Sequence, residues 1–562
     1  MAVREVAGLP TPTSTAPIWL KEPSATLQGH RTTADLPALA DVVVVGTGIT
    51  GSFAARFLKA HQKPGTSLVV LDAREACWGA TGRNGGHCQP LLYTAAASPG
   101  VAEFELATFA YLESLAKTND IPCDWTSLSG VHTFLAQDLF DLAAAAVNNL
   151  ERSRPDLAAL VRIVRPPSDT DAAGTGTGKE TLASLRIPHA AGAIVQKHAA
   201  TLWPYKLVAW VLEQLLAQFP PGEFNLQTNT PVTFLQQRRH QDESNSLHPW
   251  LLTTPRGTIA ARQVLLATNA YTSHLLPAFA DLIVPVRGQV AALVPPPAAA
   301  RGESDDPIAL GRSYVIMDHA SASARDDYLA QRPVDVDAVA GSSGKRGGSG
   351  SGGELIFGGG RPSQRGQGVG VWNDDELEEP VARYLRTNLS PPLDLTPDDN
   401  DGDDTRNPSH RPKEEDGVPL DATYEWTGIM GFSRDHHAWV GRVPASLGGS
   451  DDGDQGGLWL CAGYSGHGMP VAALAARAVA EQMTMTMTTT EEDVRAVEET
   501  KLPAEMALTA DRVRRVRESC ETVLEADQRG WAAHFPDLLL AAGRMDPAGK
   551  GSSVSVPVSV PV

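Results

Sequence analysis

Cysteine is scarce in this chain. Five are scattered over 562 residues (Cys77, Cys88, Cys123, Cys461 and Cys520), an odd number with no Cys-x-x-Cys pair. That argues against a disulfide framework and against a metal site, so no metal ligands are assigned, and it fits a reducing compartment. Long apolar runs are missing too. No stretch reaches 18 consecutive apolar residues, so no membrane span is expected. The N-terminus lacks a charged-then-apolar leader and the chain closes on PVSVPV, not on a peroxisomal SKL, which makes the cytoplasm the expected location. Basic residues are outnumbered: 47 Lys and Arg against 66 Asp and Glu give a net charge of −19. Nucleic acid and anionic membrane surfaces are therefore not the expected partners.

What is present is globular, with 42% hydrophobic and 20% charged residues in a length that suggests two interleaved domains. The chain is organised around Asp41–Pro90. Asp41–Val45 is a β-branched apolar run that reads as a buried parallel strand. Gly46, Gly48 and Gly51 follow as a complete GxGxxG: the first for a tight turn, the second for close approach to a pyrophosphate, the third for helix–sheet packing. A helix begins at Ile49 and Thr50, whose N-terminal N–H groups suit phosphates. A second strand, Ser67–Leu71, ends at Asp72, followed by Ala73 and Arg74, about 20 residues past Gly51, where a dinucleotide site wants a carboxylate for a ribose hydroxyl. This unit alone suits a nicotinamide or a flavin dinucleotide equally.

The next loop reads Thr81-Gly82-Arg83-Asn84-Gly85-Gly86-His87-Cys88. ATGRNGGH after such a unit resembles the glycine-oxidase and D-amino-acid-oxidase (DAO) superfamily of FAD enzymes, above all the branch with bacterial gamma-glutamylputrescine oxidase and uncharacterised fungal oxidoreductases. The resemblance implies that Thr81 to His87 run beside the pyrophosphate and flavin ring, with Arg83 and Asn84 adding side-chain hydrogen bonds. It further implies that the main chain near Val232 meets the adenine, and that RQVLLATN forms a small-residue turn at a strand end with Ala267, Thr268 and, in place of the family's glycine, Asn269, a residue that tolerates left-handed geometry. The late segment Gly463-Tyr464-Ser465-Gly466-His467-Gly468-Met469 would cover the pyrimidine edge of the flavin at the mouth of another helix. The TGRNGG loop and this late turn favour FAD over a nicotinamide.

The implied fold is α/β: a discontinuous FAD-binding, Rossmann-like domain of the glutathione-reductase type, and a second α+β substrate domain on a mixed sheet. Expected boundaries are an N-terminal arm over 1–39, FAD-binding parts over 40–98, 191–275 and 421–482, substrate parts over 99–190 and 276–420, a helical extension over 483–545 and a disordered tail over 546–562. Composition marks loops at 166–179 and 397–417 and a Gly/Ser insert at 334–353. Helical spacing is expected over Ala102–Lys117, Leu139–Leu150, from Trp203-Pro204 onward and over Asp511–Asp527; Phe224–Leu235 alternates as one strand; Asp327–Pro333 and Glu354–Arg361 read as neighbouring antiparallel strands.

The implied reaction is oxidation of a C–N bond, with hydride passing to FAD and the imine hydrolysing, the electrons going on to oxygen or another acceptor. Catalytic candidates are Arg287 in the P-x-R-G-Q stretch, Tyr328 and His467; Arg361 is a further substrate neighbour. Arg287 reads equally as a structural salt bridge. His467 reads as a general base, as a covalent flavin anchor or as a ligand of its own loop, and His87 and Cys88 raise the same covalent question. Relatives that oxidise glycine carry an arginine shortly after W-x-G; here Met430, Gly431 and Phe432 stand there. An apolar lining points to an amine without an α-carboxylate, polyamine-like, with a D-amino acid or N-methylglycine as alternative. An NAD-dependent dehydrogenase and a flavin-binding protein without turnover remain the other classes.

Overall fold

The computed structural model describes residues 6–167, 180–238, 248–296, 308–319, 325–334, 353–396, 419–450, 456–487, 500–523 and 536–543. The loop at 166–179, the Gly/Ser insert, the acidic loop and the tail fall wholly or almost wholly outside these residues.

Two sheets carry the chain, with strands numbered β1–β17 in chain order. The first runs β16 (Trp439–Arg442), β17 (Gly457–Ala462), β10 (Gly257–Leu266), β1 (Leu39–Val45), β2 (Leu68–Leu71) and β7 (Phe224–Gln227), with β8 (Phe234–Gln237) and β9 (Trp250–Thr254) as a side ladder. From β17 to β7 the pairs are parallel. Parallel strands are covered on both faces, and β1 is the case in point. Val42 and Val44 pack with Phe53 and Leu58 of helix Ile49–His61 and with helices Pro204–Gln218 and Ala472–Met487. Val43 and Val45 face the other way, onto Leu275, Phe279 and helix Ala510–Ser519. Helix, sheet and helix make three layers.

The second sheet is mixed: β15 (Ala422–Ser433), β11 (Ile283–Leu293), β14 (Leu355–Gly359), β13 (Arg325–Gln331), β12 (Arg312–Asp318), β4 (Thr126–Phe134), β6 (Gly192–Thr201) and β3 (His87–Cys88), with β5 (Val161–Val164) beside β6. Its register sets one row of side chains across the strands: Val290 opposite Gly358, Gly358 opposite Tyr328, Tyr328 opposite Val315, Val315 opposite His132. Side chains alternate faces along a strand, so this row and its i±2 neighbours share one face. That face looks onto the cleft.

Two expectations differ in detail. Phe224–Leu235 is two strands, broken by a turn with Asn229 at φ +50°; its first half is buried throughout because it joins the parallel sheet beside β2. The late helix ends at Ser519, and residues 524–527 lie outside the described ones. In the N-terminal arm Ile18 and Trp19 are buried, the Trp19 indole N–H donates to Asn84 O (2.6 Å), and Thr15 N–H donates to Asp374 O (2.8 Å). Among the described residues no helix is long and apolar enough to cross a membrane.

Candidate active site

The glycine turn works by close approach. Gly46 sits at φ +111°, and a Cβ on Gly51 would lie 1.8 Å from the Gly46 carbonyl oxygen. Helix Ile49–His61 thus starts directly against the end of β1, with its first N–H held by the Thr81 hydroxyl at 3.0 Å. Asp72 is half-buried at the end of β2. Its carboxylate accepts from the Thr47 N–H (2.8 Å), the Thr47 hydroxyl and the Arg74 N–H (2.9 Å). Burial lifts its pKa, against the pull of those hydrogen bonds.

The loop after it is pinned from three sides. Arg83 Nε donates to Thr427 O (2.7 Å), and its other nitrogens reach Ser14 and Thr15 of the arm. Asp374 lies between Arg74 (2.9 Å) and Arg83 (3.3 Å), all three nearly solvent-free. Burial pulls Arg83 down to about 10, with Asp374 resisting. Asn84 accepts the Gly86 N–H at 2.8 Å and so braces its own loop. The Tyr328 ring presses on Gly85, 2.0 Å from where a Cβ would sit.

The late turn closes the other side. Gly463, Ser465 and Gly466 have φ of +83°, +51° and +82°. Asn269, left-handed at φ +44°, accepts the Gly463 N–H at 3.0 Å, and the Tyr464 hydroxyl bonds Thr50 at 2.7 Å, joining the early and late arms.

Between these parts lies one cleft of about 490 Å³. At one end it is lined by Gly46, Gly48, Ile49, Thr50, Asp72, Ala73, Arg74, Thr81, Val232, Ala267 and Thr268. Arg83, Asn84, Gly85, His87, Ser465, Gly466, His467, Gly468 and Met469 follow, and Tyr328, Arg361, Met430 and Phe432 stand with them. Glycines for backbone approach, a helix N-terminus, two arginines and an apolar strand end fit a dinucleotide. Gly51, Gly82, Gly86 and Gly463 do not line the cleft. For the first three, a Cβ would meet a backbone oxygen within 2.5 Å, so they are packing positions behind it.

Arg287 is also off the cleft. Its guanidinium pairs with Glu376 (2.9 Å) and Glu378, so the salt-bridge alternative describes its contacts. Arg361 lies over the Phe432 ring at 5.1 Å with its Nε donating to Gln367 O (3.1 Å). The His467 imidazole does not bond its own loop; it reaches Glu105 at 3.1 Å on helix Pro99–Thr118. Glu105, Gln89, Tyr93, His132 and Asp374 were not named from sequence. A signal existed for Glu105, a carboxylate beside Phe104 on a helix side that is apolar but for Thr108. The rest carried none.

Burial holds two imidazoles of this site neutral: His87 down to about 4 and His132 down to about 3, each helped by the neighbouring His467. For His467 burial opposes the charge, but the Glu105 carboxylate outweighs it and the pKa is raised. The pH dependence follows. Below 6.5 the unfolded chain binds protons that folded His87 and His132 refuse, so stability falls as pH drops from 6.5 toward 4, by up to about 1.4 kcal/mol per pH unit and group. The His467 pairing is fully present below 6.5 and lost as pH rises through its raised value. A melting-temperature profile is expected to rise from pH 4 to 6.5, and Glu105→Gln to remove the alkaline-side loss. An unchanged alkaline limb in the variant would count against the pairing.

The model of the family described as FAD dependent oxidoreductase (DAO) matches residues 41–482. No curated protein sequence matches the chain. Among solved structures, glycine oxidase from Geobacillus kaustophilus is similar at TM-score 0.52 and 16% identity, over 84% of this chain and 99% of that one. L-amino acid deaminase from Proteus vulgaris, lacking its specific insertion, is similar at 0.53 and 14%, over 86% and 98%. L-proline dehydrogenase from P. horikoshii follows at 0.51 and 16%, over 84% and 96%. At such identities the likeness speaks for the fold alone.

Proposed function

Because the chain belongs to the FAD-dependent oxidoreductase (DAO) family, we propose that it oxidises the C–N bond of a small amine without an α-carboxylate, polyamine-like in chemistry. The observation that carries this reading is the single cleft running from the glycine turn to Tyr328, with Met430 and Phe432 in its wall. The chemistry FAD supplies when bound is acceptance of a hydride from the carbon beside an uncharged nitrogen, and the imine so released hydrolyses in water. Gly46 to Thr50, Thr81, Arg83 to Gly85 and His87 are the residues that would hold it.

The chain's own contribution is orientation and charge. Tyr328, wedged between Gly85 and Gly358, walls the cleft beside the loop and restricts the poses open to a ligand. His467 faces the Glu105 carboxylate at 3.1 Å, which favours its protonated form and so positive charge beside the late turn. Asp326 lines the same cleft, and a carboxylate there suits a second ammonium group. Arg361 supports the other reading: a guanidinium in the cleft suits a substrate carboxylate, as in an amino acid.

An anaerobic panel decides between them. Polyamines and alkylamines are expected to bleach the flavin band near about 450 nm, the chromophore of the cofactor, and amino acids to leave it. Bleaching by D-amino acids, glycine or sarcosine alone would replace this reading with the carboxylate one.

A further inference from the structure

One hydrogen-bond chain in the cleft wall has its direction determined from end to end. Gln196 Oε1 accepts the Leu92 N–H at 2.7 Å, which orients the Gln196 amide. Its Nε2 therefore faces His132 Nε2 at 3.2 Å as a donor, and Gln89 Nε2 approaches the same atom at 2.7 Å. His132 Nε2 must accept, so the single proton of this neutral imidazole is on Nδ1. Nδ1 lies 3.2 Å from the Tyr93 hydroxyl oxygen and donates to it. The hydroxyl's own proton must then point elsewhere. Among the described residues no acceptor takes it, and Tyr93 lines the cleft.

We propose that Tyr93 is a specificity-determining donor that binds a neutral acceptor, an amide carbonyl or a hydroxyl, carried on the chain of the amine substrate. The inference rests on the C–N reading above for the word substrate, and on the relay alone for the direction of the proton. The acceptor is neutral because the relay is: Gln89, Gln196, His132 and Tyr93 carry no charge, Leu91, Val315 and Met317 beside them in the cleft wall are apolar, and the neighbouring His467 and Glu105 face each other at 3.1 Å. A carboxylate there would lose its hydration for one uncharged donor. Gln196 and His132 are positioning residues that act through Tyr93.

The test uses the FAD-loaded full chain and two probes, N-butylacetamide, which has the acceptor and no amine, and butylamine, which has the amine and no acceptor. Their affinities are read from perturbation of the oxidised flavin absorption without oxygen, at equilibrium for N-butylacetamide and, for butylamine, directly after rapid mixing, before the flavin is reduced. Tyr93→Phe is expected to weaken N-butylacetamide about five- to tenfold more than butylamine, the net worth of one hydrogen bond. Equal losses for both probes, or none for N-butylacetamide, overturn the proposal. Gln196→Glu is the second variant. A carboxylate there accepts from both Leu92 N–H and His132 Nε2, and the Gln89 amide, whose Oε1 is without a partner, turns over to accept with it; this moves the imidazole proton and turns the Tyr93 hydroxyl inward, so the same selective loss is expected with the tyrosine intact. A purely structural role would weaken both probes alike. Reduction of the flavin by butylamine is a separate readout: its failure would sink the C–N reading, and the affinity ratio would still decide the relay.

Discussion

Asp374→Ala is expected to destabilise the fold by about 3–5 kcal/mol, the usual consequence of stripping one partner from a buried ion pair. The side chain is fully enclosed, with Arg74 Nη1 at 2.9 Å from both oxygens, Arg83 Nε at 3.3 Å and the Thr11 hydroxyl at 2.8 Å. Without the carboxylate, two guanidiniums are left facing each other with almost no water. Arg83 is already held down to about 10 by burial, and Asp374 is the main force resisting that. The damage would not stay local. The Thr11 hydroxyl loses its acceptor and Arg83, which holds Thr15, loses its counter-charge, so the arm from Thr11 to Thr15 is left with the backbone bond from the Thr15 N–H to the carbonyl of residue 374. Urea unfolding measures the loss, and faster proteolysis within the arm is its second sign. A loss below about 1 kcal/mol would mean that the cluster acts as an exposed pair does.

Gly51→Ala should give a protein that purifies without yellow colour. The added carbon would lie 1.8 Å from the Gly46 oxygen and 2.9 Å from its carbonyl carbon, with Val44 Cγ1 at 3.3 Å. None of these is the loose end of a flexible side chain. Helix Ile49–His61 must lift off β1, and overpacking of this kind costs about 1–3 kcal/mol or more. Lifting the helix also opens the turn whose N–H groups face the dinucleotide, so flavin binding should fail before folding does. Gly100→Ala is the matched control: nothing lies within 4 Å of its added carbon, and alanine is the better helix former by about 1 kcal/mol. The ratio of absorbance near about 450 nm to that of the protein reads both variants, since the band belongs to the flavin. A fully flavinylated Gly51→Ala protein would show that the turn tolerates the shift.

Both effects come from contacts of opposite kinds, and that contrast divides what the sequence reveals from what it hides. The Gly46–Gly51 clash is local. Strand, glycine turn, helix and second strand lie within about 30 residues, as the motif requires, so spacing alone was enough to read them. The TGRNGG loop and the GYSGHGM turn are local in the same way: each is a short backbone shape, and glycine at a given place betrays it. The nicotinamide alternative left open by the first motif gave way once these turns and the family were set beside it.

The polar partners were a different matter. Asp374 meets Arg74 across 300 residues of sequence, Glu105 meets His467 across 362, and Gln196 meets His132 across 64. Nothing in periodicity names a partner. Arg287 shows the cost: a conspicuous arginine in a recognisable stretch turned out to face Glu376 and Glu378 away from the cleft. His132 shows the converse. It sits in an ordinary-looking strand and reaches the cleft wall only because β4 pairs in parallel with β12, in the register that sets His132 opposite Val315. A shift of one residue would turn it to the other face. By itself, then, the sequence determined the dinucleotide cradle and the order of the elements, because those are written in local backbone geometry, while FAD followed from the resemblance of the two later turns to a known family. Only the tertiary structure decided which charges neutralise one another and which way the Tyr93 proton points, because burial and strand register choose the partners of every polar group.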